Sequence, residues 1–349
     1  MKYLSLLLVI ILLAACQVTI QPLATVPPPT GGSPTATLPP PTDTPTVSPP
    51  TPTPKPPTPT PRPPQPTPTK PPPTFSLPPF FEQRDTPVNV LASYINAIDR
   101  REFARAYAYW ENPDQTFEQF VEGFADTVFV YLVVSPPTAY EGAAGSQYTA
   151  VPTLLMATHT DGTEHFFRGE YIMRRTNPEM VGHPTDWGIY EAHMAVVTSA
   201  SLKRWLPDKP PPVPPAYEER ENGVHLLAAY YNAINRGEYE RALSYWQTPP
   251  QSAEDFATGF ADTAWVTVAL MPPWEETATG GGLYSRIPVL LLALQQNGAR
   301  RAYWGCFVTR RPPLAMPAVP HVSKIVDASL FKAKRPNAHL LIDACRPRE

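Results

Sequence analysis

Basic charge, cysteine and long apolar runs are all scarce in this chain, and each scarcity closes off a class of function. Lys and Arg number 28 against 31 Asp and Glu, for a formal net charge of −3. No block of basic residues occurs in the part that can fold, so the strongly positive face that nucleic acid demands is missing. Three cysteines in 349 residues show no zinc-ligand spacing. The most apolar stretch, Leu4 to Ala15, would span roughly 18 Å as a helix, well short of the ~30 Å hydrocarbon core of a bilayer. No nucleophile elbow is present, and Gly280-Gly281-Gly282 lacks the following Lys-Ser/Thr that a phosphate-cradling loop needs. The sequence predicts no cofactor and no metal site.

Proline, by contrast, is abundant: 50 residues, of which 26 fall between Pro22 and Pro79. Such a segment cannot bury enough apolar surface to form a core. Residues 17–80 are therefore expected to be a disordered Thr/Pro-rich tether. Polyproline II at ~3.1 Å per residue would let it reach on the order of 170 Å. Lys2 followed by the short apolar run reads as a secretory signal over residues 1–16. Leu13-Ala14-Ala15-Cys16 is similar to a bacterial lipobox, which implies cleavage before Cys16 and its lipidation by palmitate-type acyl chains. Several chains at ~0.8 kcal/mol per buried methylene would hold the protein on the membrane. The expected localisation is the extracytoplasmic face of the cell membrane, with the membrane itself, cell-wall components or envelope proteins as partners. Exported compartments permit disulfides. Cys306 and Cys345 are thus expected to pair, with two buried free thiols as the alternative.

The rest of the chain is written twice. Tyr94, Asn96, Ala97, Ile98, Arg100, Glu102, Arg105, Ala106, Tyr109 and Trp110 recur 136 residues later as Tyr230, Asn232, Ala233, Ile234, Arg236, Glu238, Arg241, Ala242, Tyr245 and Trp246. The offset holds without a gap through Gly123–Thr127 and Gly259–Thr263, and at Gly162 and Gly298. The expected plan is a first domain over 81–206, a Pro-rich connector over 207–216 and a second domain over 217–349. Two beads with limited mutual contact are expected, a packed pair being the alternative.

Each copy opens on helical periodicity. Thr86-Pro87 gives an N-cap with proline at the first helical position, and Val88, Leu91, Ile95 and Ile98 follow at helical spacing. A second helix carries Phe103, Ala106, Tyr107 and Trp110; a third starts at Thr116 with Gln119 in a capping box. Gly237 is a better helix stop than its counterpart Arg101. Strands come next, at 127–134 and 264–270, then at 148–159 and 164–174 joined by Asp161-Gly162. That pair predicts a type I′ turn, and Asn297-Gly298 does the same in the second copy. Such a turn would set His159 opposite Glu164 and His165 opposite Thr158, with the two histidines on opposite faces. Trp187–Val197 and Val322–Ala333 read as fourth strands, and Ala338–Cys345 as a fifth.

Helices first and an antiparallel sheet after them make an α+β fold. Tyr230-Tyr231-Asn232-Ala233-Ile234-Asn235-Arg236-Gly237-Glu238-Tyr239, with Ala242, resembles the opening of the nuclear-transport-factor-2-like (cystatin-like) family. With the Phe117–Phe124 helix it also resembles the N-terminal domain of methicillin-resistance-type penicillin-binding proteins. The resemblance covers about 85–200 and 220–345. It implies two tandem cone-shaped domains, each of about three N-terminal helices packed on a bent antiparallel sheet. Members include isomerases, dehydratases and non-catalytic modules, so fold alone does not choose a function.

The candidate residues follow from the duplication. Tyr94/Tyr230 and Trp110/Trp246 are either ring platforms at a pocket mouth or helix-to-sheet core. Asn96/Asn232 is expected to bond backbone. Asp126 and Asp262 are candidate general bases or else capping carboxylates. Glu191 and Asp327 are placed on a strand face shared with Ile189 and His193, or with Ile325 and Ser329, as candidate ligand contacts or else part of a solvated outer face. The expected activity is that of a non-catalytic binding or interaction module of the cell envelope. An isomerase- or hydrolase-type enzyme and a structural spacer are the alternatives.

Overall fold

The computed structural model describes residues 76–273, 275–313 and 322–346. The signal sequence, Cys16 and the tether to residue 75 lie outside them. The described chain mixes helices with one large antiparallel sheet. The first copy runs α1 (Pro87–Asp99), α2 (Phe103–Tyr107), α3 (Phe117–Glu122), β1 (Thr127–Val134), β2 (Glu141–Ala143), β3 (Ser146–His159), β4 (Glu164–Thr176), α4 (Pro178–Val181) and β5 (Gly188–Val197). The second runs α5 (Gly223–Asn235), α6 (Tyr239–Ser244), α7 (Ala253–Phe260), β6 (Thr263–Leu270), β7 (Thr277–Thr279), β8 (Gly282–Gln295), β9 (Arg300–Arg311) and β10 (Lys324–Lys332).

The caps foreseen from sequence are in place. Thr86 Oγ1 accepts from Asn89 N at the start of α1, and Thr116 with Gln119 closes a capping box on α3. What periodicity did not show is that α1 is buried on every face, polar residues included. The sheet covers one side. The chain entering the domain covers the other, with Gln83 N donating to Ser93 Oγ at 2.8 Å and Phe81 N to Asn96 Oδ1 at 3.1 Å. Ser93 and Asn96 are therefore inside because they satisfy an irregular strap that would otherwise bury unpaired amides.

The strands join in the order β10-β9-β8-β6-β1-β3-β4-β5. The two copies meet at β1 and β6, where Val134 pairs with Leu270, so the expected separate beads are replaced by a packed pair. That pairing is confined to the last residue of each strand. One apolar core lies under the helices and draws on both copies; a second covers the opposite face of the sheet. The expected fifth strand is absent. Ala338–Leu341 is instead a short 3₁₀ turn, its Ala338 and Leu341 buried against Leu202, Leu290 and Leu292 on that opposite face.

Both hairpins differ from expectation by one residue. Of each turn pair only the glycine has positive φ, 82° at Gly162 and 80° at Gly298. The Asp161 carboxylate instead accepts from Thr163 N at 2.8 Å, and Asn297 Oδ1 from Ala299 N at 2.9 Å. The side chain thus holds a three-residue loop in which the glycine alone is left-handed, the arrangement of a bulged hairpin rather than of type I′. Thr158 consequently pairs with Glu164, and Ala157 with His165.

Candidate functional site

The polar residues that recur between copies build one device, twice. In the first copy Asn96 Nδ2 donates to Pro79 O at 2.8 Å, and Arg105 donates to Asn96 Oδ1 at 3.0 Å and to Phe81 O at 2.9 Å. Arg100 reaches Pro78 O at 2.6 Å, and Glu102 lies between the two guanidiniums at 2.8 and 2.7 Å. Asn232, Arg241, Arg236 and Glu238 repeat these bonds on Pro214, Pro215 and Tyr217. Burial works to raise the Glu102 and Glu238 carboxyls, but the flanking arginines outweigh it and hold both below the usual value. Proline supplies carbonyls but no N–H, and the donors that reach the entering strap end on its backbone carbonyls. This is a clamp for the proline-rich segment that leads into each copy, and the backbone bonds expected of Asn96 and Asn232 are part of it.

The interior of each copy is filled by its own rings. Tyr94 is 4% exposed and Tyr230 5%. Tyr94 meets Trp110, Phe120 and Tyr171 at centroid distances of 6.0–6.4 Å; Tyr230 meets Trp246, Phe256 and Phe307 at 6.2–6.3 Å. Burial drives both phenols well above their ordinary value. These two tyrosines belong to the packed interior rather than to a pocket mouth.

Trp110 is different, because one side of it is open. With Asn112, Asp114, Gln115, Tyr190, Glu191 and His193 it lines a surface groove of about 490 Å³. A bulge makes the groove. Ile172 pairs with Glu191 and Met173 with Ile189, which leaves Tyr190 without a partner and turns it toward the groove. The expected shared face is thereby split: Ile189 is fully buried, whereas Glu191 and His193 are exposed and 3.3 Å apart. The second copy repeats the bulge between Ile325 and Asp327, and Asp327 is exposed there. At an offset of 136, however, Thr248, Pro250, Val326 and Ser329 stand where the first copy has Asn112, Asp114, Tyr190 and His193. Trp246 therefore keeps only Gln251 and Asp327 of the polar company of Trp110. Sequence reasoning found Trp110, Glu191 and His193 but missed Asn112, Asp114 and Tyr190, whose signal was their failure to recur.

Asp126 and Asp262 sit exposed at the turn between third helix and strand. Asp126 lies 3.1 Å from His159 Nδ1, and the His159 and His165 rings are 4.2 Å apart. The expectation that these histidines face apart is overturned by the one-residue change in hairpin register. Asp262 has Gln295 in place of the histidine. Neither carboxylate lines the Trp110 groove. Cys306 and Cys345 form a disulfide with Cα atoms 4.9 Å apart. The first copy has Glu170 and Lys209 at those positions.

No family model matches the chain, and no curated protein matches it.

Proposed function

We propose that this is a lipid-anchored, extracytoplasmic protein of the cell envelope, tethered through Cys16 and the proline-rich segment. In this reading its two copies are tandem nuclear-transport-factor-2-like (cystatin-like) units serving as a non-catalytic binding module. The observation that carries it is the filled interior of each copy. Rings that pack on one another leave no room for a substrate where enzymes with a cone-shaped fold would work, so recognition falls to the outer surface. The Trp110 groove suits a carbohydrate of the cell wall. An indole face and a phenol offer apolar platforms to a sugar ring. Asn112, Gln115, Asp114 and Glu191 offer the planar donors and acceptors that hydroxyls and acetamido groups pair with.

Calorimetric titration of the full chain in detergent micelles with soluble wall glycan fragments tests this. Binding is expected, weakened at least tenfold by Asn112→Ala and by Glu191→Gln with the melting temperature unchanged. Equal affinity in both variants would remove the groove from the account, and no binding at all would remove the glycan. Membrane fractionation of Cys16→Ala tests the anchor, the expected result being release from the membrane.

A further inference from the structure

We propose that Glu219, Glu221 and His225, at the entrance to α5, form a site for a zinc-type divalent cation. His225 is 6% exposed and directs Nδ1 at two carboxylates, with Glu221 Oε2 at 3.0 Å and Glu219 Oε2 at 3.4 Å. Ligand atoms bound tetrahedrally at ~2.0–2.1 Å lie roughly 3.3 Å from one another, so this spacing already approximates a coordination edge. One imidazole nitrogen carries at most one N–H, so it can bond only one of the two carboxylates, of which Glu221 is the nearer. The three ligand atoms lie within 4.8 Å of one another, and a cation between them would neutralise both carboxylates.

The first copy provides an internal control. Its residues at the same offset are Gln83, Asp85 and Asn89. There the Asn89 amide, with two N–H groups, donates to Gln83 Oε1 at 2.9 Å and Asp85 Oδ1 at 2.8 Å. The same three places thus make a complete hydrogen-bonded latch when amides hold them. In the second copy Glu replaces Gln and His replaces Asn, which exchanges two poor metal ligands for two good ones while Asp gives way to Glu. Two carboxylates with one imidazole and an open fourth position match zinc-type sites, whereas Ca²⁺ and Mg²⁺ favour oxygen alone.

The surroundings fit this role. Tyr217 and Tyr140 both donate to Glu219 Oε2, at 3.0 and 3.3 Å, which fixes that carboxylate as partners outside a metal's ligand set do. Tyr140 belongs to the first copy, so a bound ion would tie the copies together where they meet. The Glu219 and Glu221 side chains are themselves 40% and 64% exposed, which gives an ion a way in.

The test is a titration of the full chain in detergent with ZnCl₂, followed by calorimetry and thermal unfolding, with MgCl₂ and CaCl₂ as controls. The variant Glu219→Gln/Glu221→Asp/His225→Asn copies the first copy's latch and is expected to fold. The native chain should bind one zinc tightly and gain about 5 °C in melting temperature at a hundredfold excess over Kd. The variant should lose at least a hundredfold in affinity. Should it unfold instead, Co²⁺ absorption of tetrahedral type in the native chain, lost in His225→Asn, supports the site. Equal zinc affinity in native and variant chains overturns the proposal, as does the absence of zinc binding or of a Co²⁺ band in the native chain. Equal affinity would place the ion elsewhere, for example on the exposed His193, Glu191 and Glu170.

Discussion

The first and second copies share a clamp, a bulge, a hairpin and an aromatic interior, yet the residues beside Trp110, the disulfide and the Glu219–Glu221–His225 cluster fall among the many positions at which they differ. The shared residues are the ones a duplication makes conspicuous, and they prove to be architecture: Asn96, Arg100, Glu102 and Arg105 hold a strap, and Tyr94 packs. The unshared residues define the groove beside Trp110 in one copy, and in the other the disulfide and the Glu219–Glu221–His225 cluster. In a duplicated chain, recurrence thus marks what each unit needs to fold, and divergence marks where the units differ in use.

The largest expected effect is the loss of the staple private to the second copy. The disulfide spans 39 residues and on the loop-entropy account contributes about 4 kcal/mol. Cys306→Ser with Cys345→Ser should lower the melting temperature by roughly 10 °C. Hydrogen exchange should show the loss concentrated at β9 and the 338–345 tail. Uniform loosening of both copies would mean that the staple serves the whole sheet.

A smaller effect concerns one buried position. Asn235 Oδ1 accepts from Val266 N at 2.8 Å, and its Nδ2 donates to Val266 O at 2.9 Å. In the first copy Asp99 accepts from Val130 N at 2.9 Å and leaves its other oxygen buried without a partner. Burial raises the Asp99 pKa well above the ordinary carboxyl value, against the smaller opposing pull of the Val130 amide and Arg101. A raised folded-state pKa gives stability that is present in full below the unfolded value and is lost as pH rises through the folded one. Asp99→Asn should therefore stabilise the chain by about 1–2 kcal/mol at neutral pH, with little gain in acid. Asn235→Asp should do the reverse. Urea unfolding at pH 4 and pH 8 checks the sign, and an equal gain at both would show that Asp99 is not the group responsible.

The smallest effect concerns the stop after the first helix. Arg101 adopts φ 62° where Gly237 adopts 71°, and a side chain there costs about 1 kcal/mol. Arg101 also donates to Phe124 O and Thr127 O, which offsets much of that cost. Arg101→Gly should change stability by less than about 0.5 kcal/mol in either direction, as read from chemical denaturation. A large loss would show that the guanidinium contacts dominate.

Local rules took the sequence reading a long way. Thr86-Pro87 and Thr116 with Gln119 announced their helices because caps act within one turn, and the apolar run Ala338–Cys345 misled because such a short run suits strand and 3₁₀ turn alike. The register of the hairpins was missed by one residue, since turn type depends on whether Asp161 spends its carboxylate on Thr163 or yields to positive φ. That single residue decided whether His159 and His165 meet. Glu191 was legible as a strand residue, but its face depended on a bulge at Tyr190 that alternation cannot register.

What the sequence by itself determined is therefore the repeat, the helix starts, the order of helices before strands and the pairing partners available to Cys306. These follow from spacing, capping and composition, which act over a few residues or recur visibly. Only the tertiary structure decided that the copies meet at the ends of β1 and β6, that Tyr94 and Tyr230 are enclosed and that Glu219, Glu221 and His225 converge near Tyr140. Those outcomes rest on long-range packing, where residues as far apart as Tyr140 and Glu219 become neighbours because the two copies share one apolar core.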